Sequence, residues 1–218
     1  MSTSQDNLMA ALRYAARGFA VFPCKPDGKA PLTTHGCLDA TRDPDTIRSW
    51  WQRWPDANIA IATGAPSGII VLDVDGMEGA ESLTALIAEH GPLPDTAVVL
   101  TGGGGCHLYF KHPGGLRNAV KIGGWPGLDL RGDGGYVLAP PSVHPNGTRY
   151  TWESDDVPIA IPPDWLIALI TGNGRIIPPA KTFSILPSDR TTYTKAPNGA
   201  LTIPHGLSVS YPRIEPPT

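Results

Sequence analysis

Apolar residues recur along this chain in two rhythms. Leu8, Ala11, Leu12 and Ala15 fall at helical spacing, with Ser4 placed to cap that helix and Gly18 to end it. A second helix is predicted from Pro44, with Asp43 as its cap and Trp50, Trp51 and Trp54 near its end. "MEGAESLTALIAEHG" reads as a third, stopped by Gly91-Pro92, and "PPDWLIALI" as a short fourth. Between them run short β-rich segments: "FAVFP", "NIAIAT", "IIVLDV", "TAVVLT", "CHLYFK", "GLDLR", "GYVLAP" and "TRYTW". Residues 1–170 therefore read as one structured α+β domain. Residues 171–218 lack a sustained period, are rich in proline and poor in charge, and read as a linker or C-terminal arm.

Strand side chains alternate between faces, and three strands do so in the same way. Ile70, Leu72 and Val74 share a face, leaving Val71, Asp73 and Asp75 on the other. Leu108 and Phe110 oppose His107 and Tyr109; Leu128 and Leu130 oppose Asp129 and Arg131. If these strands are neighbours, they form a sheet with one apolar face and one open face carrying Asp, Asp, His, Asp and Arg.

That face suggests a chemistry. Carboxylates two residues apart on a strand lie roughly 6.5–7 Å apart at Cα, so their oxygens can converge on one divalent ion or bracket two. Hard ions such as Mg²⁺ or Mn²⁺ accept carboxylate oxygen and retain open positions for phosphate. Two ions about 3.5–4 Å apart suit in-line phosphoryl transfer, and Asp129 would complete the ligand set. His107 suits a phosphate oxygen as a donor, and "TGGGGCH" before it offers backbone N–H groups unobstructed by side chains. Each motif also has an ordinary reading. Asp-x-Asp-Gly is common turn chemistry, "GGGG" lacks the Lys-Ser/Thr of a phosphate loop, and a lone strand histidine is usually a structural hydrogen-bonder. Their agreement in phase on three strands favours a site.

Bulk properties narrow the classes. At 41% hydrophobic and 17% charged, the chain reads as a soluble globular protein. No window reaches the ~18 apolar residues of a membrane span, and the N-terminus is not a signal peptide. Cys24, Cys37 and Cys106 are too few and too scattered for a disulfide framework or a four-cysteine zinc site, which fits a reducing, cytoplasmic setting. The net charge of -3 requires any nucleic-acid partner to be held by a local basic patch or by metal ions.

The ordered blocks "KAP", "ANIAIATG", "IIVLDVDG", "TGGGGCHLYF" and "GLDLRGDGGYVLAPPSVHPNG", spanning about Phe19 to Trp152, resemble the bifunctional primase–polymerase (prim-pol) domain of phage and plasmid replication proteins, in the archaeo-eukaryotic primase superfamily. The resemblance implies an RNA-recognition-like sheet with helices, an N-terminal α/β module packed beside it, and a crevice between them. It implies template-directed nucleotide addition on single-stranded DNA from NTPs or dNTPs, with two Mg²⁺ or Mn²⁺ ions. Asp73, Asp75 and Asp129 match the metal carboxylates, and His107 the histidine that contacts the nucleotide's phosphates. Arg131, Ser142 and His144 match positions that tend to line the triphosphate pocket, and Lys29 in "GKAP" is a further phosphate candidate. A helicase module often follows such a domain, and the proline-rich tail would fit a linker to one. Two other classes stay open: a metal-dependent phosphohydrolase, though "DVDGMEG" lacks the Thr expected after the nucleophile, and a non-catalytic nucleotide or single-strand binding module. Asp133 is expected to be a turn residue between two strands, with Asp129 as the third ligand.

Overall fold

The computed structural model describes residues 3–172, except Asp155, and the short strands Leu201–Ile203 and Leu207–Val209. The first helix, α1 (Thr3–Ala16), already includes Ser4 in its first turn, so Ser4 does not sit at the cap. The Asp43 cap is formed: its carboxylate accepts the Thr46 N–H at 2.8 Å, ahead of α2 (Pro44–Arg53). Two further helices are α3 (Gly76–His90) and α4 (Asp164–Thr171). Gly91 and Gly172 follow them, both at positive φ, where glycine is favoured.

The strands form two antiparallel sheets in the body of the protein. β1 (Val21–Cys24), β2 (Asn58–Ala62) and β7 (Tyr136–Ala139) pair in the order β1-β2-β7. β3 (Ile69–Val74), β4 (Val98–Leu100), β5 (Cys106–Lys111), β6 (Leu128–Arg131) and β8 (Thr151–Ser154) pair in the order β6-β3-β5-β4-β8. The fold is therefore α+β. β6 and β7 belong to different sheets, so "RGDGG" is a crossover between sheets and not the turn of a hairpin. In the tail, β9 (Leu201–Ile203) pairs antiparallel with β10 (Leu207–Val209); the rest of the expected arm lies outside the described residues.

Two cores hold these layers. Ile70, Leu72, Val74, Leu108, Phe110, Leu128 and Leu130 point from the five-stranded sheet to Leu83 and Leu86 of α3 and Leu166 and Leu169 of α4. The opposite face is not open along its length. Val71, Val99 and Tyr109 join the second core with Phe22, Ile59, Ile61 and Val137 of the smaller sheet and Ala11 and Tyr14 of α1. All six residues of β3 are consequently buried. A hydrogen bond from Tyr14 Oη to the Pro140 carbonyl (2.6 Å), and one from Trp152 Nε1 to Tyr14 Oη (3.0 Å), tie α1 to both sheets. The N-terminal module thus covers the polar face except at the end where the carboxylates lie.

Candidate active site

Register brings the predicted residues together. Asp73 on β3 is the direct cross-strand partner of His107 on β5 and of Asp129 on β6. Such pairs put side chains on one face within reach of each other. Asp75 lies just past the end of β3, in extended backbone ahead of α3, and its side chain makes no capping hydrogen bond. Its carboxylate therefore stays on the Asp73 side. Oxygens of Asp73, Asp75 and Asp129 all lie within 4.8 Å of one another. Beside them the glycine loop packs tightly: a Cβ on Gly105 would sit 2.1 Å from the Val74 carbonyl oxygen.

Each carboxylate has a distinct setting. Asp73 is buried. Arg131 donates to its Oδ2 from Nη2 (2.9 Å) and from Nε (3.2 Å). The same Nη2 donates to Asp129 Oδ2 at 3.1 Å, while the Lys121 backbone N–H donates to Asp129 Oδ1 at 3.0 Å. The outer surface of Asp75 meets solvent, yet desolvation by its surroundings and then the Asp73 charge raise its carboxyl above the usual range. A donor set of three carboxylates fits a hard divalent ion of the Mg²⁺ or Mn²⁺ type.

Beside the carboxylates lies a polar cavity of about 220 Å³, lined by Lys29, Asp73, His107, Asn118, Arg131 and Tyr150, with Gly134–Leu138 completing its wall. His107 is buried and its Nδ1 has no hydrogen-bond partner; Nε2 lies 3.5 Å from Asp73 Oδ1. Burial drives its pKa down to about 4 against the opposing pull of Asp73, and the Lys29 and Arg131 charges add to the lowering. The lowering favours the neutral imidazole. The charge comes from Lys29 and Arg131.

Ser142 is elsewhere. It is fully buried; its hydroxyl accepts from the Ile59 N–H (2.8 Å) and donates to the Ile59 carbonyl (3.2 Å). It is absent from the cavity wall. Asn58 works beside it, donating to the Gly28 and Val143 carbonyls and accepting the Val143 N–H. Together they clamp the loops that carry Lys29 and His144. His144 packs against Gly102 and Gly103, and its ring lies 6.1 Å from that of Tyr150. Tyr150 in turn lies 6.0 Å from His107, which places His144 one ring further from the carboxylates. The glycine run itself is a tight turn: the Gly105 N–H bonds to Thr101 Oγ1, and the Gly104 N–H to the Thr101 carbonyl. Those two donors are used inside the turn.

Asn58, Asn118 and Tyr150 had no sequence signal of their own. Asn118 is held by the Gly132 N–H on its Oδ1 (2.8 Å) and reaches the cavity from a loop. Only the alternation of "TRYTW" could have hinted that Tyr150 faces the site.

An antiparallel sheet that joins three carboxylates to a polar cavity bearing Lys29 and Arg131 defines a metal-competent α+β domain. The chain belongs to the family of bifunctional DNA primase/polymerase N-terminal domains (Prim-Pol), whose sequence model matches residues 11–165. Comparison with curated proteins gives no match. The family implies metal dependence and nucleotide and nucleic-acid substrates. No described helix is long and apolar enough to cross a membrane.

Proposed function

We propose that this domain is a template-directed DNA primase/polymerase of a phage or plasmid replication protein, acting in the cytoplasm of a bacterial host. It adds NTPs or dNTPs to a 3′-hydroxyl on a single-stranded DNA template. The observation that carries this reading is the convergence of Asp73, Asp75 and Asp129 beside a cavity bearing Lys29, His107 and Arg131. The expected cofactor is Mg²⁺ or Mn²⁺, two ions held by the three carboxylates. When bound, the ions lower the pKa of the attacking hydroxyl and neutralise charge on the phosphates.

The chain's own residues do the rest. Lys29 and Arg131 present positive charge to the triphosphate, and His107 donates an imidazole N–H. Tyr150 backs His107 and fixes its ring. Arg131 has two duties. Without ligands it is the counter-ion that keeps Asp73 and Asp129 close; with the carboxylates otherwise engaged, its guanidinium is released to phosphate. The new bond joins the 3′-oxygen to the α-phosphorus as the bond to the β-phosphate oxygen breaks, and pyrophosphate leaves. Catalysis is then positioning and electrostatics. A helicase module following the proline-rich tail fits this role.

The test is extension of labelled nucleotides on a defined single-stranded template, with and without primer, with Mg²⁺ or Mn²⁺. Products matched to the template are expected in both cases. Nucleotide hydrolysis without template-matched product would overturn the reading.

His107→Ala is expected to act on nucleotide binding. Loss of a hydrogen bond to a charged group costs about 1.5–3 kcal/mol, roughly a ten- to hundredfold rise in nucleotide KM. Because burial holds the imidazole near pKa 4, the kcat/KM profile should carry no inflection from His107 near pH 6.5. A fall in kcat at unchanged KM, or an inflection there that His107→Ala removes, would contradict this role.

A further inference from the structure

Two donors hold the Asp129 carboxylate among the described residues. Arg131 Nη2 reaches Oδ2 at 3.1 Å, and the Lys121 backbone N–H reaches Oδ1 at 3.0 Å. The first donor is shared with Asp73 Oδ2 and, in the function proposed above, moves to phosphate when nucleotide binds. The Lys121 N–H is then the bond that stays. It fixes one carboxylate oxygen and leaves the other to the metal-competent cluster.

That N–H is available because Lys121 breaks a ladder. Ala119 exchanges both backbone hydrogen bonds with Leu130 of β6: its N–H donates at 3.0 Å and its carbonyl accepts at 2.8 Å. In an antiparallel ladder the next pair to exchange bonds lies two residues along each strand, which here would be Lys121 with Leu128. An extended Lys121 would offer its N–H to the Leu128 carbonyl. Lys121 is instead left-handed, at φ 49° and ψ 55°, and its N–H goes to the Asp129 side chain. Lys121 and Asp27 are the non-glycine residues with positive φ among the described residues. A side chain is disfavoured in this conformation, which persists where the surroundings impose it. Here they do. Ile122, the next residue, is buried in the core that holds Leu166 and Leu169 of α4, and the Gly124 N–H bonds back to the Lys121 carbonyl at 2.7 Å. The Lys121 side chain itself is exposed and forms no ion pair among the described residues.

We infer that Lys121 is a positioning residue: its left-handed backbone takes one N–H out of the β-ladder to orient the Asp129 carboxylate as a metal ligand, and its side chain plays no part in this. The inference rests on the metal-dependent nucleotide-addition reading above. A divalent ion tolerates little displacement of its ligands, and an unpinned aspartate turns among its rotamers. Pinning Oδ1 sets the direction of Oδ2. Groups that hold a metal ligand in this way are worth about ten- to a hundredfold in metal affinity.

The experiment measures Mn²⁺ binding to the full chain without nucleotide, by electron paramagnetic resonance, beside thermal melts and the Mn²⁺ dependence of nucleotide addition. The proteins are wild type, Lys121→Gly, Lys121→Val and Lys121→Pro. Glycine adopts this backbone without strain and keeps the N–H, so Lys121→Gly is expected to match wild type in Mn²⁺ affinity. Proline has no N–H and a fixed negative φ. Lys121→Pro is expected to bind Mn²⁺ about tenfold more weakly and to need about tenfold more for half-maximal addition, with the nucleotide KM at saturating Mn²⁺ unchanged. Valine keeps the N–H but is β-branched and disfavoured at positive φ, so its loss should fall between those of glycine and proline. Wild-type Mn²⁺ affinity in a folded Lys121→Pro would overturn the positioning role. Where Lys121→Pro does not fold, equal affinities in Lys121→Gly and Lys121→Val would do the same. A Lys121→Gly weaker than wild type by the proline factor would show the side chain acting and would also overturn it. A wild-type protein that neither binds Mn²⁺ nor adds nucleotide would overturn the nucleotide-addition reading itself.

Discussion

Asp73→Asn is expected to leave a folded protein, at least as resistant to heat as wild type, with nucleotide addition reduced a hundredfold or more, ~3 kcal/mol of transition-state stabilisation. The two halves of this result have one cause. Three carboxylates lie within 4.8 Å of one another, and Arg131 bonds to only two of them. Asp75 carries the mark of the excess negative charge, its carboxyl held above the usual range by desolvation and by Asp73. Neutralising Asp73 removes repulsion from Asp75 and Asp129, and Arg131 keeps Asp129 as a partner. An amide of the same shape still accepts from Arg131 and still fills its place on β3. The same substitution removes the central charge of the metal-competent cluster. Circular dichroism and thermal melts in metal-free buffer, run beside the extension assay, check both halves. Wild-type addition rates in a folded Asp73→Asn protein would remove Asp73 from the centre, and a large drop in melting temperature would show the cluster to be a stabilising feature.

Much of this site was legible because strand periodicity is rigid. Once "IIVLDV", "CHLYF" and "GLDLR" are strands, alternation fixes which side chains share a face, and antiparallel register then puts Asp73 opposite both His107 and Asp129. Helix ends were legible where local chemistry sets them, as at Asp43 and Gly91. Alternation within one strand carries no information about what covers the sheet. The N-terminal module buries Val71 and Tyr109 on the face expected to be open, which follows from long-range packing. The pairing of β6 and β7 with different sheets is equally invisible, because a four-residue glycine-rich connection is compatible with a hairpin or a crossover. Ser142 shows the limit of a motif. Its place in "PPSVH" matched a pocket position, but its hydroxyl is spent on Ile59. Asn118 and Tyr150 reach the cavity through tertiary packing alone.

The crossover sharpens the contrast between Asp129 and Asp133. Asp129→Asn is expected to abolish nucleotide addition with little structural cost, because the amide oxygen can still accept the Lys121 N–H. Asp133→Ala is expected to do the reverse. Asp133 Oδ1 accepts the Ala65 N–H at 2.9 Å, and its Oδ2 lies 3.3 Å from Nε2 of the mostly buried His112. Its backbone N–H bonds to the Leu116 carbonyl at 2.7 Å. The loop after β2 presses so closely on it that a Cβ at Gly64, which sits at φ +78°, would fall 2.2 Å from Asp133 Oδ1. Asp133 thus joins the two sheets where the chain passes between them, and none of its bonds reaches the metal-competent cluster. Its removal takes the acceptor from the exposed Ala65 N–H and the nearby carboxylate from His112, at a cost of about 1–2 kcal/mol. For a chain of this size that lowers the melting temperature by about 2–8 °C, with most activity retained well below the transition. Paired melting curves and extension rates for the two variants decide the matter. An inactive, fully stable Asp133→Ala beside an active Asp129→Asn would move the third carboxylate four residues along the chain and away from the cluster described above.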